Sequence, residues 1–464
     1  MRFDVPCALV LLTLGGGLRS QNICLDHTGF VASGGLDLWG ISAGHLNDDT
    51  LLDMAVSNHL TGDLSIFFGN GDGSFQPAVT LPVGMYPVDI IAADLNGDTR
   101  ADLVTAHVDH VQVLLNLGGG AFDAPVPYAI PSGETWTLMA RDLDNDGAID
   151  LLVPHGAGGG GLAVLIGNGD GTFQPHADHP TDVPATSLDL ADFNEDGHLD
   201  VLYTHLAGLG EVVHFWSILW GTRPGTFGTR THVTHPHTSI FASAIDVDAN
   251  GDMDVVVSNS YPSPDSLSFR MGDGTGGFAA PVTMYGGISP ALVRSVDMDL
   301  DGFGDLVVAD YANNSVRVFP GYGAGQFGPP VHSIAAVNPI DFAVGRFNAD
   351  ALPDIVIAAS SGAYVGVILN CLVAAVEEAT DMNVMTLGPN PADDAMYIRL
   401  DGAAQAAWIE ITDAAGRLVE QAGASADGVV VDTSPLAGGL YVATLCDANG
   451  RSLARARFEV VHAR

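Results

Sequence analysis

One short block that recurs seven times, an acidic nine-residue loop followed by a β-branched run, constrains this chain more than any other feature. The copies read HLNDDTLLDMAV from His45, DLNGDTRADLVT from Asp94, DLDNDGAIDLLV from Asp142, DFNEDGHLDVLY from Asp192, DVDANGDMDVVV from Asp246, DMDLDGFGDLVV from Asp297 and RFNADALPDIVI from Arg346. They start 49, 48, 50, 54, 51 and 49 residues apart. In six units an apolar run follows and ends in a Gly-rich turn and a Phe, as in FFGNGDGSF ending at Phe75. Such a period predicts an array of equal structural units.

Each unit has room for about four short strands, which is the size of one β-propeller blade. The 57 Gly and 25 Pro residues favour turns over long helices. Calcium-binding β-helices repeat every nine residues, and EF-hands need flanking helices and a Glu at the twelfth loop position, so both fit less well. We therefore predict an all-β protein, a seven-bladed β-propeller followed by a small C-terminal β-sandwich.

The two recurring blocks resemble the FG-GAP or VCBS repeats, which build propellers such as the integrin α-subunit head. The resemblance covers roughly residues 25–372 and carries both motifs in register. It implies seven blades, with calcium held in the loop that joins the first two strands of a blade.

The loops offer carboxylate or carboxamide oxygens at positions one, three, five and nine, and hard oxygen donors favour Ca²⁺. Five loops are complete, so we expect about five ions, held by Asp94, Asn96, Asp98, Asp102, Asp142, Asp144, Asp146, Asp150, Asp192, Asn194, Asp196, Asp200, Asp246, Asp248, Asn250, Asp254, Asp297, Asp299, Asp301 and Asp305. The first unit has His45 at position one and keeps only Asn47, Asp49 and Asp53, which leaves its binding open. In the seventh unit we expect Arg346 to replace the ion by pairing with Asp350 or Asp354. The alternative for every loop is an acidic turn held by Asx hydrogen bonds.

The seventh unit stops early, because the Gly-rich turn and Phe are missing after Cys371. The segment Thr28-Gly29-Phe30-Val31 resembles the missing piece, so we predict that the N-terminal segment supplies the outer strand of the last blade. Cys24 and Cys371 then lie on the two arms of the broken hairpin, which predicts a disulfide between them. The alternative is two buried free thiols.

The two ends of the chain differ from the repeats. Residues 1–20 resemble a secretory signal, with Arg2 before a short apolar stretch. We place the propeller at 21–372, a linker at 373–380 and a further domain at 381–464. The last segment contains GPNP from Gly388, IEITDAAGR from Ile409 and LAGGLY from Leu436, and resembles the type A C-terminal sorting domain of the type IX secretion system. The resemblance implies a β-sandwich, the type IX machinery as a partner, and a mature protein that is released or attached to the cell surface.

The net charge of −39 excludes some partners. All 16 basic residues are Arg, and an acid excess of this size repels nucleic-acid phosphates and anionic lipid. No stretch reaches the 18 apolar residues of a membrane-spanning helix. We expect a monomer.

We expect a ligand site on the face opposite the acidic loops. Polar residues follow five positions after the last loop Asp, and aromatic residues precede the first strands; the candidates are Trp39, Asn58, Tyr86, His107, Trp136, His155 and His205. Aromatic faces with amide and imidazole donors suit a sugar, whereas strand-end packing is the alternative. His232, His235 and His237 leave a transition-metal role open. We expect a binding or adhesion module for glycan or protein, with a secreted polysaccharide-cleaving lyase or glycosidase as the alternative.

Overall fold

The computed structural model describes residues 23–133, 135–205, 215–261 and 266–371, and in the C-terminal part 384–388, 395–401, 406–413, 418–423, 429–436, 439–447 and 452–460. The predicted signal at 1–20 and the predicted linker at 373–380 lie outside these ranges. The chain divides into two compact units between residues 373 and 374.

Within the described part of the first unit, the strands form seven four-stranded antiparallel sheets. Sheet 1 consists of β2 (Leu38–Gly44), β3 (Asp53–Asn58), β4 (Asp63–Phe67) and β5 (Val79–Pro82). Sheet 2 consists of β6 (Asp89–Ala93), β7 (Asp102–Ala106), β8 (His110–Leu114) and β11 (Val126–Ala129). Sheet 3 consists of β12 (Met139–Arg141), β13 (Asp150–His155), β14 (Gly161–Leu165) and β15 (Ala177–Pro180). Sheet 4 consists of β16 (Ala185–Ala191), β17 (Asp200–His205), β18 (Phe215–Arg223) and β19 (Thr226–Thr234). Sheet 5 consists of β20 (Thr238–Ile245), β21 (Asp254–Tyr261), β22 (Ser266–Arg270) and β23 (Val282–Tyr285). Sheet 6 consists of β24 (Pro290–Val296), β25 (Asp305–Asp310), β26 (Ser315–Phe319) and β27 (Val331–Ile334).

Sheet 7 consists of β28 (Pro339–Gly345), β29 (Asp354–Ala359), β30 (Tyr364–Asn370) and β1 (Leu25–Ala32). β1 pairs antiparallel with β30, so the prediction that the N-terminal segment completes the last sheet is confirmed. A disulfide joins Cys24 to Cys371 beside this pair, with the two Cα atoms 5.0 Å apart. A short hairpin of β9 (Asn116–Gly118) and β10 (Ala121–Phe122) and two 3₁₀ turns (Ala157–Gly159 and Tyr311–Asn313) complete the described elements of this unit.

Burial falls from the middle of each sheet to its outer strand. The second strands, such as β3 and β25, are buried at every residue, because their sheets are covered on both faces by neighbouring sheets. This double cover explains why these strands read as unbroken apolar runs rather than as alternating patterns. The outer strands β5, β11, β15 and β23 are mostly exposed. The cores lie between adjacent sheets; one of them joins Leu38 and Met54 of sheet 1 to Val356 and Val367 of sheet 7.

A repeated hydrogen bond links each of the seven sheets to the one before it. Its acceptor is the carbonyl of the second residue of the acidic loop, and in five cases its donor is a backbone N–H in the Gly-rich turn of the next sheet: Gly73 to Phe347, Gly171 to Leu95, Gly225 to Leu143, Gly276 to Phe193 and Gly325 to Val247. All five glycines have positive φ, which disfavours a side chain. Asn116 and Asn370 replace the glycine with a side-chain amide, which donates to the carbonyls of Leu46 and Met298. The bond from Gly73 of sheet 1 to Phe347 of sheet 7 closes the series into a ring.

The second unit contains two sheets. One consists of β31 (Val384–Gly388), β32 (Ala395–Asp401) and β35 (Val429–Asp432), and the other of β33 (Ala406–Asp413), β34 (Leu418–Gly423), β36 (Gly439–Asp447) and β37 (Ser452–Val460). Ile398, Ile409, Ile411, Val431 and Ala443 are buried. Together with the first unit, this arrangement confirms the predicted all-β fold class.

Candidate functional site

The acidic loops connect the first and second strands of each sheet, and their second residue fixes them to the core. This residue is buried in all seven loops: Leu46, Leu95, Leu143, Phe193, Val247, Met298 and Phe347. Its side chain points into the space between sheets while the rest of the loop stays near the surface. The loop is therefore held at one end and its oxygen-bearing side chains remain accessible to a small cation.

Backbone conformation separates five loops from the other two. In the five complete loops the fourth and sixth residues both have positive φ: Gly97 and Thr99, Asn145 and Gly147, Glu195 and Gly197, Ala249 and Gly251, and Leu300 and Gly302. Five of these ten residues carry side chains, for which left-handed backbone is uncommon. The corresponding residues of the loops that begin at His45 and Arg346 do not have positive φ. Sequence and backbone therefore select the same five loops.

The first Asp of a complete loop organises the turn. In four loops one carboxylate oxygen accepts the N–H of the fifth residue and the other accepts that of the sixth, as Asp297 does from Asp301 at 3.0 Å and from Gly302 at 2.9 Å. In the third loop Asp142 accepts only the N–H of Gly147. The Oδ1 atom of Asp142 is shielded from solvent and has no hydrogen-bond partner.

Carboxylates converge in three loops, each with one oxygen of every side chain within 4.8 Å of the others. The groups are Asp142, Asp144 and Asp146; Asp246, Asp248 and Asp254; and Asp297, Asp299 and Asp305. Such an arrangement concentrates negative charge, and Asp142 Oδ1 has no hydrogen-bond partner to offset it among the described residues. The donor set of carboxylate and amide oxygens fits a hard divalent cation such as Ca²⁺.

The ninth Asp has a structural role in every unit. It is buried, its Oδ2 accepts the N–H of the second loop residue, and its Oδ1 accepts an N–H at the end of the third strand or just after it; in sheet 6, Asp305 accepts from Met298 and Gly321, both at 2.7 Å. Asp53 and Asp354 make the same two bonds in the two incomplete loops. Each oxygen retains a second lone pair, so a cation could share it.

Burial changes the acidity of these carboxyls. Burial, with a smaller contribution from nearby loop carboxylates, raises the pKa of Asp305 to about 7 and the pKa of Asp200 to about 6. Burial likewise raises the pKa of Asp354 to about 6, even though this loop lacks a first-position Asp. A divalent ion beside such a group would favour its ionised form.

The expected pairing of Arg346 is wrong. Arg346 is exposed, and among the described ion pairs none joins it to Asp350 or Asp354. Both oxygens of Asp354 already accept backbone N–H groups from Phe347 and Asn370, so the buried carboxylate is satisfied without the guanidinium. The loop is held by Asn348 and Asp350, whose side chains accept N–H bonds two residues further on.

The opposite face of the first unit carries an aromatic cluster. Strands alternate in direction, so the links between sheets and the turns between second and third strands all lie away from the acidic loops. There Trp39 stacks on His59 with ring centroids 4.5 Å apart and on Trp136 at 5.4 Å, and His59 contacts Tyr86 at 5.2 Å. Trp136 is 37% exposed and Tyr86 is 45% exposed. The structure thus brings together the three aromatic residues predicted as candidates.

The four polar candidates have other surroundings, which corrects the expected polar ring. Asn58, His107, His155 and His205 are all buried. They bond to neighbouring strands or turns: Asn58 to Asp63 and Ser65, His107 to Thr105, His155 to Asp178 and His205 to Ser217. These residues end the buried second strands, so their side chains satisfy polar groups inside the sheets rather than facing a ligand. His205 illustrates the cost, because burial lowers its pKa to about 4.

The three histidines between sheets 4 and 5 are divided among different partners. His232 Nδ1 lies 2.7 Å from Ser217 Oγ, and His235 Nε2 lies 2.7 Å from Asn259 Oδ1. The rings of His235 and His237 have centroids 6.1 Å apart. The groups of metal-ligating side chains found within the described residues do not include these histidines.

A cavity of about 750 Å³ lies beside the aromatic cluster, and we call it the central cavity. The first strands of all seven sheets line it, and Trp39 and Trp136 contribute to its wall. Its charged lining residues are Asp89, Asp189, Arg294 and Asp341. These four side chains lie outside the recurring blocks, and none of them was among the residues predicted from the repeat.

Comparison with known protein families identifies both parts of the chain. Residues 45–105, 94–153, 142–203 and 246–308 match the FG-GAP-like repeat, and residues 386–456 match the secretion system C-terminal sorting domain. No curated protein matches the chain significantly. The chain therefore contains FG-GAP-like repeats and ends in a type IX sorting domain, which indicates export to the cell surface or the medium.

The two solved structures of BBS1N support the propeller-like fold. BBS1N in complex with ARL6DN, soaked with mercury, is 13% identical with a TM-score of 0.55, and the match covers 75% of this chain and 98% of that one. The lead-soaked form gives 0.51 at 13% identity, with 76% and 97% covered. PorZ, a surface component of the type IX system of Porphyromonas gingivalis, is 15% identical with a TM-score of 0.45 and coverages of 94% and 60%. Within the described residues, no helix is long and apolar enough to span a bilayer.

Proposed function

We propose that this exported chain of FG-GAP-like repeats is a calcium-stabilised binding module that holds a glycan on the face opposite its acidic loops. The observation that carries the proposal is the aromatic cluster of Trp39, His59, Tyr86 and Trp136 beside the central cavity. In this proposal residues 1–20 direct export and residues 381–464 engage the type IX machinery.

The aromatic cluster suits a sugar because its faces are flat, partly exposed and mutually supported. Trp39 stacks with both His59 and Trp136, so the orientation of its ring is fixed before any ligand arrives. Preorganised aromatic surfaces bury much area and lose little side-chain entropy on binding. The central cavity is within the size range of small-ligand sites and would receive one or two sugar units next to the platform.

Calcium would act as a structural element on the other face. The loops of sheets 2 to 6 combine the complete donor sets with the left-handed fourth and sixth residues. The solvent-shielded Oδ1 of Asp142, which has no hydrogen-bond partner, is the kind of group that an ion would satisfy. The first-position Asp, the third and fifth side chains and the ninth Asp would hold each ion, which would neutralise their mutual repulsion and fix the turn.

The glycan proposal is tested with the purified full chain, saturated with calcium, on a glycan array and then by calorimetry on the glycans that bind. We expect the Trp39→Ala and Trp136→Ala variants to lose at least about tenfold in affinity, as base- and sugar-sized aromatic stacking contributes about 1–3 kcal/mol. Tyr322→Ala is the matched control, since Tyr322 is 44% exposed but lies in a Gly-rich turn on the acidic-loop face.

Three results would contradict the proposal. Absence of glycan binding would remove it, and so would equal losses in the Trp39 and Tyr322 variants. Release of reducing ends from a bound polysaccharide would show the alternative, a polysaccharide-cleaving enzyme. Elemental analysis after gel filtration tests the metal separately, and a protein without bound calcium would refute that part.

A further inference from the structure

The central cavity contains more acidic than basic groups. Asp89 lies on β6, Asp189 on β16 and Asp341 on β28, which are the first strands of sheets 2, 4 and 7. One cation, Arg294 on β24, faces them; its guanidinium lies 3.6 Å from Asp341 Oδ1 and 5.7 Å from the ring centroid of Phe342. With all four groups ionised, the cavity would hold two uncompensated negative charges.

The three carboxylates are oriented by the backbone. Each accepts the N–H of the residue that follows it, and each also accepts an N–H from the next sheet: Asp89 from Leu138, Asp189 from Ala244 and Asp341 from Ile41, at distances of 2.8–2.9 Å. At Asp189 and Asp341 these bonds use one lone pair of each oxygen and leave a second available. At Asp89 the Oδ2 atom also accepts the hydroxyl of Thr137 at 3.0 Å, so only Oδ1 keeps a lone pair available. The carboxylates are therefore fixed in place and still able to accept a hydrogen bond from a ligand.

The environment makes these carboxylates costly to ionise without a counter-charge. Burial raises the pKa of Asp89 and Asp189, and burial together with the charge of Asp89 raises the pKa of Asp341 to about 7. Arg294 opposes this effect at all three residues, but its side chain is 52% exposed and it serves three acids at once. A ligand cation placed among them would supply the missing compensation.

The wall of the cavity adds a second attraction for cations. Trp39 and Trp136 belong both to the aromatic cluster and to the cavity lining. The face of a tryptophan attracts an ammonium group by about 0.5–2 kcal/mol, and it also packs against the C–H face of a sugar ring. Aromatic faces beside half-buried carboxylates thus suit one ligand type better than a neutral sugar, namely a sugar that carries a protonated amine.

Resting on the function proposed above, we propose that the central cavity selects amino sugars, with the ammonium group of a glucosamine unit among Asp89, Asp189 and Asp341 and the pyranose ring on Trp39 and Trp136. The same charge arrangement disfavours uronic acids, whose carboxylates would meet three acidic side chains. Acetylation of the amine would remove the charge and add bulk, so it should weaken binding.

The test is calorimetry of the calcium-saturated full chain with a glucosamine hexasaccharide at mildly acidic pH, compared with the N-acetylated hexasaccharide, cellohexaose, an alginate hexasaccharide and spermidine. We expect the glucosamine oligomer to bind at least about tenfold more tightly than its acetylated or neutral counterparts, and the alginate oligomer to bind least; tenfold corresponds to about 1.4 kcal/mol.

Two variants distinguish an electrostatic role of the cavity residues in binding from a purely structural role. Asp341→Asn should weaken glucosamine binding by about tenfold or more, whereas Arg294→Gln should strengthen it, because it removes the competing cation. A purely structural role for these residues would not raise affinity in the Arg294 variant. Asp26→Asn, at an exposed position of β1, is the matched control and should bind like the parent chain. Thermal unfolding of each variant checks that it is folded. If Asp341→Asn does not fold, the affinity of Arg294→Gln for the glucosamine oligomer decides whether the inference holds.

The outcomes distinguish this inference from the function on which it rests. Equal binding of the glucosamine, acetylated and neutral oligomers, lost in Trp39→Ala, would overturn the charge selection and keep the glycan-binding proposal. Spermidine binding as tightly as the glucosamine oligomer would keep the amine selection and remove the sugar. Unchanged affinity in both Asp341→Asn and Arg294→Gln, with folded proteins, would overturn the inference.

Discussion

Asn370 offers a test of the hydrogen bonds that link successive sheets. Its side-chain Nδ2 donates to the carbonyl of Met298 at 2.6 Å, and the residue is buried. At this point sheet 7 lacks the Gly-rich turn that supplies the equivalent N–H in five other sheets. Asn370→Ala removes the only described donor to this carbonyl and leaves the acceptor buried at a sheet boundary.

The expected cost follows from the unpaired acceptor and the small cavity. A buried group that loses its hydrogen bond costs about 1–3 kcal/mol, so we expect the free energy of unfolding to fall by about 2 kcal/mol. For a unit of about 350 residues, with about 2.1 cal/mol/K of unfolding entropy per residue, this lowers Tm by about 3 °C.

The measurement is urea and thermal unfolding of the calcium-saturated protein. Asn168→Ala is the matched control, because Asn168 is an exposed turn residue whose side chain bonds to Thr172, and it should change stability by less than about 0.5 kcal/mol. Asn116→Ala removes the corresponding bond to Leu46 together with side-chain bonds to Ala101 and Gly118, so it should destabilise the protein at least as much as Asn370→Ala. Equal stability of the Asn370 and Asn168 variants would refute the role assigned to this bond.

Three further predictions concern the metal, the buried histidine and the disulfide. Chelation should lower Tm, since each site adds about 1.4 kcal/mol when free calcium is ten times the dissociation constant, and calcium-independent melting would contradict the loop assignment. Burial lowers the pKa of His205 to about 4, so its contribution to stability is present above about pH 6.5 and is lost as pH falls to 4. His205→Gln should therefore flatten the pH dependence of the free energy of unfolding between about pH 6.5 and 4. An unchanged slope would show that His205 does not titrate in this range. Replacing Cys24 and Cys371 together by Ser should destabilise the first unit by up to about 5 kcal/mol in non-reducing unfolding experiments, and a variant as stable as the parent would show that the bond does not constrain the unfolded chain.

The repeating part of the architecture could be predicted because the same local problem is solved seven times. The acidic loop comes just before the second strand of each sheet and the Gly-rich turn comes just after the third strand, so their repetition predicts the sheets and their order along the chain. The incomplete last unit pointed to the N-terminal strand for the same reason, since the Gly-rich turn and Phe that it lacks have a counterpart in Thr28-Gly29-Phe30-Val31. Trp39, Tyr86 and Trp136 could also be predicted by this reasoning, because Tyr86 and Trp136 lie in links between sheets and Trp39 lies at the start of β2, all on the face to which the topology brings these links.

The central cavity was not predictable from the pattern. Asp89 and Asp341 each precede the following loop by five residues and Asp189 by three, and such an Asp occurs in only three of the seven first strands, so the repeat does not mark them. Their proximity arises only when the seven strands meet around one axis. The prediction that His155 and His205 face a ligand was wrong for a different reason. Each ends a strand that is buried at every residue, so its side chain forms a hydrogen bond to a neighbouring strand instead of reaching solvent.

The ninth Asp shows why a motif of this kind mixes two roles. It is the one loop residue identical in all seven copies, including the loops of Asp53 and Asp354, where the first position is His or Arg. In each copy it joins the start of the loop to the end of the third strand through two backbone N–H groups, which requires no metal. Its recurrence therefore reports the sheet geometry, whereas the first-position Asp and the left-handed fourth and sixth residues recur only in the five loops proposed to hold calcium. A loop that lost its ion would keep the ninth Asp and relax elsewhere, and the first and seventh loops already have this form.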